Sequence, residues 1–255
     1  MVRPKKHLGQ HFLTDKNIAR KIAGCLTENW PVVCELGPGT GILTEALLEK
    51  TGIAKLNLIE IDSESVIYLN THFSDERMEV IETDFLKYDL SKISNEPFAL
   101  IGNFPYNISS QIFFKALEYR DLIPEIAGMI QKEVAERMTA SPGNKTYGIL
   151  SVLMQSWYNI DYCFTVNENV FFPPPKVKSA VIHMTRNNNL NLQCDEKLLI
   201  QVVKTAFNQR RKTMRNSLKS LINDKIKSNK VFDKRPEQLS VEQFVELTRM
   251  IEEGR

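Results

Sequence analysis

Near residue 100 an apolar run, Phe98-Ala99-Leu100-Ile101, stops at Gly102 and delivers Asn103-Phe104-Pro105-Tyr106. Those last four residues offer an amide oxygen, a main-chain carbonyl, a proline that fixes φ and stiffens the turn, and the flat face of a phenol ring. Two acceptors beside an aromatic plane suit a planar ring held by its amino group. Three earlier apolar runs also end on polar or glycine-rich residues. Leu36 is followed by Gly37-Pro38-Gly39-Thr40-Gly41, a second run ends at Glu60 and a third leads to Asp84. Polar groups at the C-terminal ends of four successive strands converge on one rim, which is what a ligand pocket requires.

The elements that must position these residues alternate in type. "VVCEL" is β-branched and apolar and leads into "ILTEALLEK", which has helical period. "KLNLIEID" predicts a strand, and "SESVIYLNTHF" a helix with Ser63 as its N-cap. "MEVIETD" and "FALIGN" predict two more strands, and "EIAGMIQKEVAERM" a fifth that runs into a helix. This alternation predicts a parallel sheet with helices on both faces. In "FFPPPKVKSAVIHMTR" three consecutive prolines exclude a helix, and "VKSAVIHM" reads as a strand behind a stiff bend. Asn187-Asn188-Asn189 reads as a linker. Beyond it, "EKLLIQVVKTAFNQRRKTMRNSLKSLI" and "SVEQFVELTRMI" have helical period. The expected division is a catalytic domain over 1–186, with a basic arm at 1–16, and a small all-helical domain over 187–255.

The glycine spacing separates two cofactor chemistries. A dinucleotide fingerprint, G-x-G-x-x-G, would place its third glycine at position 42, where this chain has Ile42. A nicotinamide oxidoreductase is disfavoured by that spacing. Glycines at 37, 39 and 41 agree instead with the G-x-G-x-G loop of S-adenosylmethionine enzymes. There the backbone approaches a methionine moiety and a ribose without cradling a pyrophosphate. Glu60 is placed to accept both ribose hydroxyls, and Asp84 to accept from the exocyclic amine of the cofactor's adenine. The expected fold class is α/β, a Rossmann-like class I S-adenosylmethionine-dependent methyltransferase with a small all-helical C-terminal domain.

Composition excludes several other classes. With 42% apolar and 25% charged residues the chain is an ordinary globular one. The N-terminus "MVRPKKHLGQHF" has no apolar core of a secretory signal, and no run of about 18 apolar residues exists, so neither export nor a membrane span is expected. Four scattered cysteines suggest reduced thiols and a cytoplasmic location, and four histidines show no metal-ligand spacing, so no metal is expected. The net charge of +2 is unevenly distributed. Residues 1–25 carry six Lys/Arg against one Asp, and residues 197–230 carry ten against one. Basic ends on an otherwise acidic chain point to a polyanion held at defined places, RNA or DNA.

The Asn103–Tyr106 motif resembles the N-[LIF]-P-[YF] form found in adenine-N6 methyltransferases of ribosomal RNA. An exocyclic adenine nitrogen is a poor nucleophile, because its lone pair is delocalised into the ring. Hydrogen bonds from its two protons to the Asn103 side-chain oxygen and the Phe104 carbonyl favour a more tetrahedral nitrogen, while Tyr106 offers a stacking face. Eight blocks in order, among them "KKHLGQHFL", "ELGPGTGILTEALL", "GNFPYNISSQI", "FFPPPKVKSAVI" and "AFNQRRKTMRNSL", resemble the KsgA/RsmA-type small-subunit ribosomal RNA adenine dimethyltransferases over nearly the whole chain. That resemblance implies transfer of four methyl groups to two adjacent adenosines in the 3′-terminal hairpin of small-subunit RNA, with that RNA or an assembling 30S subunit as the partner; nothing in the sequence demands more than a monomer, which is the expected state. It implies cofactor contacts at His11, Leu13, Gly37, Glu60, Asp84 and Asn103. The target adenine would stack between Tyr106 and Phe171, and Lys5, Lys6, Arg210, Arg211, Lys212 and Arg215 would contact RNA. His11 stands where many members have Asn, and Phe104 where Leu is usual. The rivals are a large-subunit adenine methyltransferase of the macrolide-resistance type and a catalytically silent RNA-binding assembly factor.

Overall fold

The computed structural model describes residues 2–27, 30–187 and 191–254. Asn188 and Asn189 of the expected linker lie outside the described residues. The chain forms two compact units, Met1–Ala135 with Ile160–Arg186, and Glu136–Asn159 with Asn187–Arg255.

In the first unit a short strand β1 (Phe12–Leu13) precedes helix α1 (Lys16–Ala23), and β2 (Val32–Leu36), α2 (Ile42–Leu48), β3 (Lys55–Glu60), α3 (Ser63–His72), β4 (Met78–Glu82), β5 (Ala99–Asn103), α4 (Ser109–Glu118) and β6 (Glu125–Gln131) alternate after it. Helix α5 (Lys132–Met138) follows, and α6 (Ile149–Gln155), β7 (Tyr158–Val166), β8 (Phe171–Phe172) and β9 (Ser179–Arg186) complete the sequence up to residue 186. Seven strands make one sheet in the order β4-β3-β2-β5-β6-β9-β7. Pairing is parallel from β4 through β6, as the alternation predicts, whereas β9 lies antiparallel to β6. The inner strands β2, β3, β5 and β6 are buried almost along their whole length, because helices cover both faces, and they therefore read as unbroken apolar runs. At the edge, β7 alternates between exposed and partly covered residues. The strand order reverses direction between β2 and β5, with Leu36 opposite Gly102. A crevice at the carboxyl ends of strands opens at such a point.

Side-chain hydrogen bonds fix the local details. Asp15 caps α1 by accepting from the N–H groups of Asn17 and Ile18. The N-cap of α3 is Asp62, which accepts from the Glu64 N–H, so the expected cap at Ser63 falls one residue late. At the N-terminal end of β6, Glu125 accepts from the Thr27 N–H at 2.7 Å, from the Thr27 hydroxyl, from the Trp30 indole and from His183 at 2.6 Å. Burial alone would push this carboxyl up, but the hydrogen bonds from His183, Thr27 and Trp30 overcome it and hold it down at about 2. The segment before β2 is thereby tied to β6 and β9, away from the strands' carboxyl ends.

The second unit is built on α6, α7 (Glu196–Asn208), α8 (Met214–Ser217) and α9 (Val241–Glu253), and its described residues from 191 to 254 hold helices and turns only. Its core stacks Phe207 on Phe244, with ring centroids 5.8 Å apart, and sets Tyr147 edge-on to Phe207. These contacts explain why residues 136–159, placed with the catalytic domain on the linear expectation, cluster with the C-terminal segment. Helix α7 ends at Asn208, since Gln209–Lys212 supplies no apolar residue to bury. The Arg210-Arg211-Lys212 cluster therefore sits in a turn and not on a helical face.

Candidate functional site

The loops after β2, β3, β4 and β5 surround one cavity, whose lining includes Gly37, Glu60, Asp84, Asn103, Pro105 and Tyr106. Gly37 has φ +67°, a conformation that excludes most L side chains, and a Cβ built there would find nothing nearer than 4.0 Å. The space above its Cα is open cavity for a ligand to fill. Buried Glu60 hardly reaches water; its Oε2 accepts from the Gly39 N–H at 3.1 Å and its Oε1 from the N–H groups of Ile61 and Asp62 at 2.9 Å. Burial raises its pKa, against the lowering effect of those N–H bonds. The carboxylate is thus rigid, and its remaining lone pairs suit vicinal hydroxyls. Asp84 accepts from the Leu86 N–H through Oδ1 at 3.0 Å, and its Oδ2 lies 3.6 Å from the Lys87 ammonium. A rim of carboxylates with a glycine floor fits an adenosyl group.

Asn103 ends β5, half-buried, and its Nδ2 donates to the His11 carbonyl at 2.9 Å. A carbonyl only accepts, so this bond sets the amide's orientation and leaves Oδ1 as the acceptor. Phe104 donates its N–H to the Met129 carbonyl, and its ring is fully buried, edge-on to Phe113 at 5.7 Å. That ring lies over Gly102 and Gly128, which face each other across β5 and β6; a Cβ at either would stand within 3.0 Å of it. The bulk of Phe104, where Leu is usual, is accommodated by two glycines. Tyr106 is anchored through a hydrogen bond between its hydroxyl and that of Ser179, and its ring stacks on His11 at 5.7 Å.

Residues 5–12 fold over this rim. Lys5 pairs with Asp62 and, at 3.3 Å, with Glu64, while Gln10 Nε2 donates to Asp62 at 3.0 Å. His11 donates from Nδ1 to the Pro173 carbonyl at 2.7 Å. The arm is therefore held by the α3 cap, the Asn103 amide and the polyproline bend. Asp62 and Gln10 had no role on the sequence reading; the only hint was a second acid two residues past Glu60.

Several expected site residues are placed differently. Lys5, read as an RNA contact, is committed to two carboxylates. Leu13 and Phe171 are opposite partners in the antiparallel β1–β8 ladder, and both are buried in the core, 4% exposed. Strand side chains alternate, so the next residue, Phe172, is turned out and 61% exposed. Neither Leu13 nor Phe171 presents its side chain to the cavity. In the second unit Arg215 is paired with Asp233 at 2.6 Å, and Arg210 lies 3.9 Å from Glu237 and donates to the Asn144 carbonyl. Arg211, Lys212 and Lys6 are exposed and have no carboxylate partner among the described residues.

Beneath the glycine turn, Glu35 on β2 is 1% exposed and accepts from the Thr44 hydroxyl at 2.7 Å. Burial pushes its carboxyl up to about 8, opposed by the Thr44 hydrogen bond and assisted by the negative charge of Glu60. The folded state keeps a proton that the unfolded chain loses near pH 4.3, so stability falls as pH rises from about 4.3 to about 8 and levels off above. Glu35→Gln removes that titration. Its thermal midpoint, relative to the native chain, is expected to gain roughly 10 °C between pH 5 and pH 8; a constant offset across that range contradicts a protonated Glu35.

Among the described residues no group of His, Cys, Asp or Glu is arranged to hold a metal, and no helix is long and apolar enough to cross a membrane. The chain resembles a dimethyladenosine transferase from Plasmodium falciparum, with a TM-score of 0.84 and 25% identity over 96% of this chain and 98% of that one. It superposes on the 23S rRNA methyltransferase ErmE with a TM-score of 0.68 and 24% identity over 93% of this chain and 99% of that one. The fold is that of the class I methyltransferases. The chain is 60% identical to the ribosomal RNA small subunit methyltransferase A of Parabacteroides distasonis, over 97% of this chain and 94% of that protein. Identity to the protein of the same name from Flavobacterium johnsoniae is 57%, over 98% and 97%. The family described as ribosomal RNA adenine dimethylase matches residues 1–253, and relatives of this identity along nearly the full length leave one placement: the chain belongs to the ribosomal RNA adenine dimethylase family.

Proposed function

We infer that this chain is an S-adenosylmethionine-dependent adenine-N6 dimethyltransferase of small-subunit ribosomal RNA, working as a monomer. The observation that carries it is the Asn103 amide, fixed at the crevice between β2 and β5 with its NH2 turned to the arm and its oxygen free. Bound S-adenosylmethionine supplies an electrophilic sulfonium methyl. Gly37, Glu60 and Asp84 would hold the adenosyl group, the His11 backbone would close over it, and Asn103 would contact both the cofactor and the target base.

Asn103 Oδ1 and the Phe104 carbonyl would accept hydrogen bonds from the two N–H groups of the target amine. Tyr106, held by Ser179, provides the plane against which the flipped-out base rests. Pro105 stiffens the turn that aims the carbonyl. The product ammonium sheds its proton readily, so no side chain need act as a strong base. What the protein contributes is position and electrostatic complementarity. Exposed Arg211 and Lys212 in the α7–α8 turn are suited to phosphate contacts, and affinity for RNA is expected to fall steeply with salt. The names of the close relatives favour small-subunit over large-subunit RNA.

The test offers the enzyme tritiated methyl donor with unmethylated small subunits and, separately, large-subunit RNA. Dimethyladenosine in the small-subunit RNA is expected. Label confined to large-subunit RNA favours the macrolide-resistance chemistry, and cofactor binding without transfer to either favours a silent assembly factor.

A further inference from the structure

A second concavity adjoins the cofactor cavity in the first unit and shares His11 and Tyr106 with it. It is lined by Pro4, Lys6 and Gln131 and by the bend from Phe172 to Val177, and it has a volume of about 800 Å³, ample for a nucleotide. Two features set it apart from the cavity beside it. Its lining contains two lysines, Lys6 and Lys176, both exposed, and no carboxylate, whereas Glu60 and Asp84 line the cofactor cavity. It also carries two of the four large apolar side chains most exposed among the described residues, Phe172 at 61% and Val177 at 46%.

The aromatic is presented by construction. Pairing of Leu13 with Phe171 in the core forces Phe172 outward, the prolines at 173–175 stiffen the chain that follows, and the Pro173 carbonyl is held by His11. A solvent-facing ring on a rigid bend, flanked by unpaired cations and bordering the site where an adenine is held, is the arrangement single-stranded nucleic acid binds, base on ring and phosphate on ammonium.

We propose that this groove holds the nucleotide flanking the target adenine, its base stacked on Phe172 and its phosphates at Lys6 and Lys176. This inference rests on the proposed activity and extends it from the reacting base to the strand that carries it. Phe172, and not the buried Phe171, is the aromatic that meets RNA outside the reacting pocket.

The experiment places 2-aminopurine next to the target adenosine in a substrate RNA. Its fluorescence is expected to be quenched on binding the native enzyme, to recover with Phe172→Ala and to be quenched again with Phe172→Trp. The alanine variant is expected to raise KM for RNA by roughly tenfold or more, with a smaller change in kcat and an unaltered affinity for S-adenosylmethionine. Lys6→Ala and Lys176→Ala should each reduce the slope of log affinity against log salt by about 0.7. Quenching and KM that are indifferent to Phe172 overturn the subsite while native methyl transfer leaves the activity standing. Failure of the native enzyme to methylate the RNA overturns the activity itself.

Discussion

Replacing Asn103 with alanine is expected to lower methyl transfer by about three orders of magnitude while leaving RNA affinity largely in place. The side chain performs two tasks at once. Nδ2 is bonded to the His11 carbonyl, which holds the arm over the cavity, and that bond turns Oδ1 toward the position of the target amine. Alanine abolishes both. Loss of one preorganised hydrogen-bonding group at a reacting centre costs roughly 10²–10³ in turnover, and release of the arm adds to it through poorer alignment of the methyl donor. Asn103→Asp is the sharper variant. It keeps an acceptor for the amine but cannot donate to His11, so it should retain more turnover than alanine while showing weakened cofactor affinity. Single-turnover methylation with separate titrations of cofactor and RNA distinguishes the two. Undiminished methylation by Asn103→Ala would refute the role assigned to the amide.

The second large effect lies on a residue that touches no ligand. Gly128→Ala places a Cβ 2.5 Å from Phe104 Cε2, 2.8 Å from its Cζ and 2.9 Å from the Gly102 carbonyl oxygen. The Phe104 ring is fully buried and set edge-on to Phe113, so any shift of it disturbs close-packed neighbours. Overpacking of this kind costs about 1–3 kcal/mol, and whatever relaxes must move the turn whose carbonyl and amide meet the target. A shift of about 1 Å at a reacting centre can cost roughly 100-fold in rate. We expect Gly128→Ala to lose stability by that amount and turnover by about two orders of magnitude. Phe104→Leu introduced beside it should restore much of both, since the shorter side chain vacates the contact. Denaturant unfolding and methyl transfer on the two single variants and the double give the coupling directly. Purely additive losses would mean that the ring does not support the turn.

Much of the site was legible because strands in a parallel sheet end where their apolar run ends, and ligands gather there. The positions of Gly37, Glu60, Asp84 and Asn103 follow from local signals alone, and the four do line one cavity. What was not legible has a common source. That the Phe171 and Leu13 side chains lie in the core could not be read locally, because the face a strand residue presents depends on its partner: β8 pairs with β1, some 160 residues away, and that register decides which of two consecutive phenylalanines is turned out. The pairing of Lys5 was equally hidden, because a cation in a basic arm looks like a phosphate contact until the carboxylates of Asp62 and Glu64 are found beside it. The cluster at 210–212 was read into a helix because helical period was extended past the last apolar residue that the core could use.

By itself the sequence determined the alternation of strands and helices, the chemistry of each loop and the departure of the glycine spacing from a dinucleotide pattern. All of these are set within a window of about ten residues, where period, glycine freedom and side-chain donors act locally. The tertiary structure alone decided that β5 adds beside β2, bringing Gly37 and Asn103 to one crevice, that the arm closes on Asp62, and that Phe104 is seated over two glycines. Those are pairings between distant segments, chosen by which arrangement buries the most apolar surface without leaving a polar group unpaired, and no local pattern encodes them.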